Sequence, residues 1–306
     1  MDRFAEVEAF VRIVDTGGIG AAARRMGVAK SVISRRLREL EDRLGGRLIN
    51  RTTRQFSLTE TGRAYYERVS QLLEDLEDAD HAAHCDAQTL IGTLRVAAPM
   101  TFGNVHLAPA IAEFLKQHAG LHIHLDLNDR RVDLVEEGFD MAIRIGQLAD
   151  SSLIARKLAP VRNALVASPE FIAQHGPLKI AEDFNDLPAL RYTGISERDA
   201  FQIRRPDGES VQLRPDIRMQ ANNGEILVRM AEAGLGFMFT PTFIAAAAID
   251  AGRLDVLLPD HQLGEVTAYA IYPPGRNLST KVRAFIDFLV GRFGEMPYWD
   301  TCIDKQ

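Results

Sequence analysis

In the N-terminal part of the chain, apolar positions recur at helical spacing. Phe4, Val7, Phe10, Val11 and Val14 share one face of a predicted helix over 2–15, with Asp2 placed to cap its start. Thr16, Gly17 and Gly18 break it. AAARRM over 21–26 is a short strong helix former stopped by Gly27. A third helix, over 31–44, turns Val32, Ile33, Leu37, Leu40 and Leu44 inward and ends at Gly45 and Gly46. Arg47 to Leu58 then sets apolar pairs around a polar centre, the pattern of a small β-hairpin. Three helices followed by a hairpin predict a winged helix-turn-helix over 1–58.

From Thr59 a long helix is predicted to about Ala87. Tyr65, Val69, Leu72, Leu76, Ala79 and Ala83 step alternately by four and three, a heptad seam flanked by Glu74, Asp75, Glu77, Asp78 and Asp80. The segment 59–88 therefore reads as a linker helix that pairs two chains. Beyond it the texture changes. Strands are predicted over 94–99, 122–127, 141–145, 163–167, 189–192, 217–220, 236–240 and 266–271. Helices are predicted from the end of the first strand to about His118, and over 133–137, 169–174, 224–233, 242–251 and 279–292. Pro206-Asp207-Gly208 marks a turn between short strands. The alternation predicts two α/β lobes over 89–306. The fold class is thus α/β, with an α-dominated winged helix-turn-helix in front, a long linker helix and a two-lobed C-terminal domain.

Composition narrows the classes. The chain has 306 residues, 46% of them apolar and 25% charged, which excludes global disorder and calls for more than one domain. Two cysteines, Cys85 and Cys302, make neither a disulfide framework nor a four-cysteine zinc site. The start MDRFAEVEAF lacks the basic and apolar runs of a signal peptide. The most apolar window, Gly234 to Ile249, is interrupted by two threonines and Pro241, so it reads as buried strand, turn and helix rather than a membrane span. A cytoplasmic protein with no membrane association is expected.

Net charge is −6, yet ten basic residues against three acids stand between Gly20 and Leu58. A local excess of +7 on an acidic chain suits a polyanion, since each phosphate neutralised releases counterions. Lys30, Ser31, Ser34, Arg35 and Arg36 lie at the start of the third helix, the end that enters the major groove in this motif. Arg51, Thr52, Thr53 and Arg54 form the hairpin tip, placed for a minor groove or its phosphates. Arg38, Arg43 and Arg47 are expected to be solvated or paired with Glu39, Glu41 and Asp42. A rival reading takes Gly18, Gly20 and Ala23 as a dinucleotide fingerprint. That motif needs a strand on either side, and the flanking segments read as helices.

The run AAARRMGVAKSVISRRLRELEDRLGGRLINRTTRQFSLTETG resembles the DNA-binding domain of LysR-type transcriptional regulators. Two departures stand out: Gly20 where the family usually has a serine capping the second helix, and Ala29 where a hydroxyl residue often precedes the recognition helix. The resemblance implies double-stranded operator DNA as partner, a dimerising linker helix and a dimer of dimers. A small molecule that shifts the population of these assemblies is expected to alter DNA bending and RNA polymerase access.

In the C-terminal lobes, ligands bind off strand ends against helix N-termini. Two strand-to-helix junctions qualify, Ala98 to Phe102 and Ala221 to Glu225. Free N–H groups there favour an anion such as a carboxylate, so the effector is expected to be an organic acid. Thr101 and Asn223 are as well suited to capping their own helices, and the two roles are compatible. Arg144, Gly146, Tyr192, Phe239 and Thr240 lie near other predicted strand ends. GTLRVAAPMTFGNVHLAP, DLVEEGFDMAIRIG, ANNGE and LSTKVRAFIDFLVGRF resemble the effector domain of the same family. That resemblance implies a cleft lined at Thr101, Phe102, Arg144, Asn222, Asn223 and Thr240. The tail after Gly294 matches nothing in that pattern.

His81, His84 and Cys85 are read as solvated helix positions, and His122 and His124 as surface or interface residues of one strand. No metal or cofactor is expected, and no nucleophile–base motif is signalled. Three functions compete: a ligand-responsive DNA-binding regulator, a solute-binding protein and a dehydrogenase. The missing leader and the basic N-terminal unit argue against the second. The missing strand–helix–strand context argues against the third. The expected function is therefore a sequence-specific transcriptional regulator, not an enzyme.

Overall fold

The computed structural model describes residues 2–50, 56–84, 90–130, 132–146, 152–196, 200–264, 266–274 and 278–303. The chain divides into two compact units, Met1–Thr93 and Leu94–Gln306.

In the first unit, α1 spans Arg3–Thr16, α2 Ile19–Met26 and α3 Lys30–Leu44. The Asp2 carboxylate caps α1 by accepting from the N–H groups of Phe4 and Ala5. Gly17, Gly27 and Gly45 end the three helices in the left-handed conformation that glycine adopts without steric cost. Phe10, Ile13, Ile33, Leu37, Leu40 and Leu48 form one buried core. Two short antiparallel strands follow, β1 (Ile49–Asn50) and β2 (Ser57–Leu58). The tip residues Arg51, Thr52, Thr53 and Arg54 lie outside the described residues. Helix α4 runs Glu60–His84. It starts at Thr59, whose hydroxyl accepts from the Gly62 N–H at 2.9 Å and donates to the Arg47 carbonyl at 2.8 Å.

The expected heptad seam divides. Tyr65 and Val69 pack into the core beside Phe10, because α4 folds back against α1. Leu72 and Leu76 stand 65% and 41% exposed, so they remain apolar positions without cover in the single chain. The side chains of Ala79, Ala83, His81, His84 and Cys85 lie outside what the structure describes.

The second unit holds two lobes. In lobe I a five-stranded sheet runs in the order β4-β3-β5-β14-β6. Its strands are β3 (Ile91–Ala98), β4 (Gly120–Leu127), β5 (Met141–Gly146), β6 (Ile154–Val161) and β14 (Val266–Tyr272). The predicted helix after β3 is divided into α5 (Met100–Phe102), a π-helical stretch Gly103–Leu107 and α6 (Ala108–Gln117). Pro109 follows the π stretch and has no N–H to donate into the ladder, and the bulge absorbs the loss. The predicted helix over 133–137 is instead a single turn. Its Asp133 carboxylate takes the N–H groups of Val135 and Glu136, and Gly138 turns the chain out at φ 73°.

Lobe II begins with β7 (Asn163–Ala167), α7 (Pro169–His175) and β8 (Pro188–Tyr192). A hairpin of β9 (Gln202–Arg204) and β10 (Ser210–Gln212) turns at Pro206–Gly208, as predicted. Then follow β11 (Asp216–Ala221), α8 (Gly224–Glu232), β12 (Met238–Pro241), α9 (Thr242–Asp250) and β13 (Asp255–Leu257). β12 and β13 flank β7 antiparallel, and β11 pairs β8 in parallel. Aromatic and aliphatic side chains pack both faces of this sheet. Helix α10 (Thr280–Phe293) returns to lobe I beside β6. The chain crosses between lobes at Arg162. The Asn163 amide donates to the Gly264 carbonyl at 2.8 Å, tying the outgoing crossover to the return.

Candidate functional sites: a basic helix face and an inter-lobe cleft

Helix α3 buries one stripe and exposes another. Ile33, Leu37 and Leu40 are inaccessible, while Lys30, Ser31, Arg35 and Arg38 are exposed and Ser34 and Arg36 are half-buried. The amphipathic period therefore turns the polar N-terminal residues outward, as the sequence predicts. Exposed Arg24 and Arg25 on α2 add to the positive face. Arg35 leans toward Glu39 at 3.7 Å but is 67% exposed, so the pair holds it weakly. Arg38 donates to the Ser34 carbonyl at 3.2 Å. Ala29 is the N-cap of α3 and gives no side-chain cap. Gly20 is the second residue of α2, whose N-cap is Gly18, so it does not hold the capping position itself.

Arg43 and Glu41 depart from the expected pairing. Arg43 pairs with Glu6 of α1, not with its own helix. Its guanidinium donates twice to the buried carboxylate, at 3.0 and 3.1 Å, and this bond raises the arginine pKa further. Glu41 is buried and accepts the backbone N–H groups of Leu48 and Ile49. Sequence reading missed Glu41 because a helix acid among arginines looks like a solvated partner. Its place on the Ile33–Leu37–Leu40 side of the helix was the available signal.

In the second unit a cleft of about 1210 Å³ is lined from both lobes. Thr101, Phe102, Arg144 and Thr240 line it, whereas Asn222 and Asn223 are not among its lining residues. At each junction expected to offer free N–H groups, one N–H is taken by a side chain. Asp129 accepts from the Met100 N–H at 3.1 Å, and the Asn223 carbonyl oxygen accepts from Ile226 at 3.1 Å. The Asn223 side chain also meets the Met100 sulfur at 3.8 Å, which brings the two junctions together. Phe102 is inaccessible to solvent and acts as a wall rather than a contact surface.

The Arg144 guanidinium is held by the carbonyls of Arg130 and Val132, and Arg130 pairs with Glu137. Arg130, Arg144, Arg162 and Arg204 line the cleft against Asp129 and Asp260, so its wall is formally cationic. Tyr192 faces Asp129. Burial, then that carboxylate, pushes its phenol above the ordinary value, so it stays protonated and able to donate. Asp129, Arg130 and Arg162 were missed by sequence reading, since isolated charges after strands carry no spacing signal.

The dinucleotide reading fails on geometry: α1 precedes Gly18 where a strand is required, and α3 follows α2 where the second strand belongs. Among the described residues, no group of three or more His, Cys, Asp or Glu side chains is placed to hold a metal ion. Nor is any described helix long and apolar enough to cross a membrane. His122 and His124 are exposed on the edge strand β4.

Known proteins carry the same arrangement. The bacterial regulatory helix-turn-helix family of the lysR type matches residues 4–63, and the LysR substrate binding domain matches residues 87–294. An HTH-type transcriptional repressor of Pseudomonas aeruginosa is 33% identical over 97% of this chain and 94% of its own. The HTH-type transcriptional activator AaeR of Escherichia coli is also 33% identical, over 97% and 96%. Among solved structures, CrgA of Neisseria meningitidis, a LysR-type transcriptional regulator, aligns with a TM-score of 0.60 at 30% identity. The alignment covers 95% of this chain and 99% of that one. Full-length AphB, the virulence activator of Vibrio cholerae, aligns with a TM-score of 0.57 at 29% identity over 95% and 99%. With an exposed basic helix on one unit, a two-lobed cleft in the other and these matches across nearly its full length, the chain belongs to the LysR family of DNA-binding, effector-responsive transcriptional regulators.

Proposed function

We propose that this regulator reads an operator through α3, with Lys30, Ser31, Ser34 and Arg35 reaching base edges and phosphates in the major groove. Arg36, half-buried, is assigned to the DNA backbone. Arg51, Thr52, Thr53 and Arg54 are assigned to the adjacent backbone or minor groove from sequence alone. The observation that carries the reading is the exposed polar stripe of α3, mounted on a fully buried apolar one. Pairing of chains through Leu72 and Leu76 gives a two-fold protein for a two-fold operator, and a dimer of dimers follows from the family resemblance.

An organic acid is the proposed effector. Support comes from the cationic lining of the cleft and from Tyr192 and Thr101 as hydrogen-bonding groups. Binding shifts the balance of DNA-bound assemblies, by no more than its differential affinity for them, and so alters RNA polymerase access. The protein acts in the cytoplasm and catalyses no reaction in this reading.

The test is fluorescence anisotropy with duplex DNA from upstream of the protein's own gene, a scrambled duplex and a salt series. A preference of about a thousandfold, with affinity falling steeply as salt rises, is expected. Equal binding to both duplexes at every salt concentration would overturn the operator assignment. The same titration with added sodium benzoate or sodium propionate reads the effector step.

A further inference from the structure

The segment after α10 lies beyond the part of the chain that matches the family's substrate binding domain, which ends at residue 294. It nevertheless folds into a short 3-10 helix, Tyr298–Cys302, with Trp299, Asp300 and Cys302 buried. Its contacts divide between the lobes. Trp299 packs on Phe102 and Phe293 of lobe I at 5.8 and 5.5 Å and on Phe243 of lobe II at 6.5 Å. His106 of the π-helical stretch lies against Trp299 at 4.6 Å. Its Nδ1 meets the Tyr298 hydroxyl at 2.6 Å, and its Nε2 meets the Phe243 carbonyl at 2.9 Å. A carbonyl only accepts, so Nε2 carries the proton and Nδ1 accepts from Tyr298. Cys302 joins the lobe II core beside Ala248 and Ile249.

Asp300 completes the bridge. The Thr242 hydroxyl donates to its carboxylate and also points at the Arg162 carbonyl, 3.2 Å away. The Thr242 N–H donates to that same carbonyl at 2.9 Å. Arg162 is the crossover between lobes. One buried acid is therefore two hydrogen bonds from the crossover between the lobes, and one buried ring backs the Phe102 wall of the cleft.

We infer that Pro297–Ile303 is an inter-lobe strap, in which Asp300 positions the Arg162 crossover and Trp299 positions the Phe102 wall of the effector cleft. Lobe rearrangement on effector binding then works against the strap, which sets how far the crossover can turn. The role of the strap in effector response rests on the cleft being the effector site. Its mechanical part does not.

Hydrogen exchange on the ligand-free, full-length protein tests it. Asp300→Ala is expected to speed exchange at the Thr242 amide and across 160–165 roughly tenfold, the cost of losing a hydrogen bond to a charged group. Peptides from α1 to α3 and from β3 and β5 should exchange as in wild type. Asp300→Asn keeps an acceptor oxygen and should restore most of the protection. Thr242→Val removes the same bond from the other lobe and carries the same expectation, should Asp300→Ala fail to fold. Trp299 is the single tryptophan of the chain, so acrylamide quenching reads strap release directly. Unchanged exchange at Thr242 and 160–165 in a folded variant would overturn the inference. So would a uniform rise across the whole effector unit, which would make the strap only a contributor to global stability. Failure of the effector reading shows instead as DNA binding indifferent to small acids, and the two outcomes are separate.

Discussion

Glu41 holds Leu48. Its buried carboxylate accepts the Leu48 N–H at 2.9 Å and the Ile49 N–H at 3.3 Å, and so fastens the first strand of the hairpin to the C-terminal half of α3. On its other side the Leu48 carbonyl accepts the Thr59 N–H at 3.0 Å, so the segment is tied both to α3 and to the start of α4. Glu41→Ala leaves both amides buried without that acceptor. It should cost about 1.5–3 kcal/mol of stability in the first unit and weaken operator binding. Glu41→Gln keeps an oxygen in place and should lose less. Urea unfolding of full-length protein, paired with anisotropy on operator DNA, measures both.

Leu48 is constrained from the other side by Gly62. A Cβ at Gly62 would meet the Leu48 carbonyl oxygen at 2.0 Å and its carbon at 2.8 Å, both backbone atoms. The wing and α4 therefore touch backbone to backbone. Gly62→Ala should force them apart at about 1–3 kcal/mol, read as a lower midpoint in thermal unfolding. A wild-type midpoint would show that the wing moves freely relative to α4.

Arg35 carries the opposite expectation. It is largely exposed and its contact with Glu39 is long, so Arg35→Ala should leave thermal stability unchanged. Operator affinity should drop by about 1–3 kcal/mol with discrimination against the scrambled duplex reduced, as for loss of a base contact. Loss that is equal on both duplexes would reassign Arg35 to phosphates.

These contrasts explain what the sequence made legible. The α3 stripe follows a 3.6-residue period, and Ile33, Leu37 and Leu40 are buried on it, so its centre was readable, although Leu44 at its end is 41% exposed. On α1 the expected face is rotated: Glu6, Ala9, Phe10 and Ile13 are buried, while Phe4 stands 62% exposed, because Glu6 turns inward to meet Arg43. β6 was not readable. Arg156, Lys157 and Pro160 break any alternation, and the strand exists because β14 pairs with it along a sheet edge that tolerates proline. Cleft residues at strand ends were half legible. Thr101, Arg144 and Thr240 line the cleft, while Asn223 takes the capping role that its residue type also suited. Trp299 and Asp300 sat in a tail without periodicity, and only packing across the lobes gives them a role.

Cys302 should be inert in the native protein. It is buried, its Sγ contacts the Trp299 carbonyl at 3.2 Å, and burial, then Asp250 and Asp300, pushes its thiol above the ordinary value. The thiolate is the reactive form, so little of it exists at neutral pH. In a Cys85→Ser chain, the thiol reagent DTNB should react only as the protein unfolds. Fast labelling of folded protein would mean that the strap opens readily.

Acid should loosen the effector unit through His106. Burial holds its imidazole below the ordinary value of 6.5, against a smaller opposing effect from the Phe243 carbonyl. The unfolded chain therefore binds the proton first as pH falls through 6.5, and linkage makes folding stability fall with it. Above 6.5 both states are neutral and this residue contributes no pH dependence. Below the lowered native value both are charged and the slope from it vanishes again. Tyr298 reinforces the neutral form by donating to Nδ1, and its own phenol is raised by burial, so it stays protonated throughout this range. His106→Gln should be less stable at neutral pH, because the Tyr298 and Phe243 contacts are remade imperfectly, yet flatter between 6.5 and the native value. Urea midpoints of wild type and variant across that window measure the difference. The chain has eight histidines, so the informative quantity is the change in slope between the two proteins. Parallel slopes would place the titration of His106 at its ordinary value and remove burial as its controlling influence.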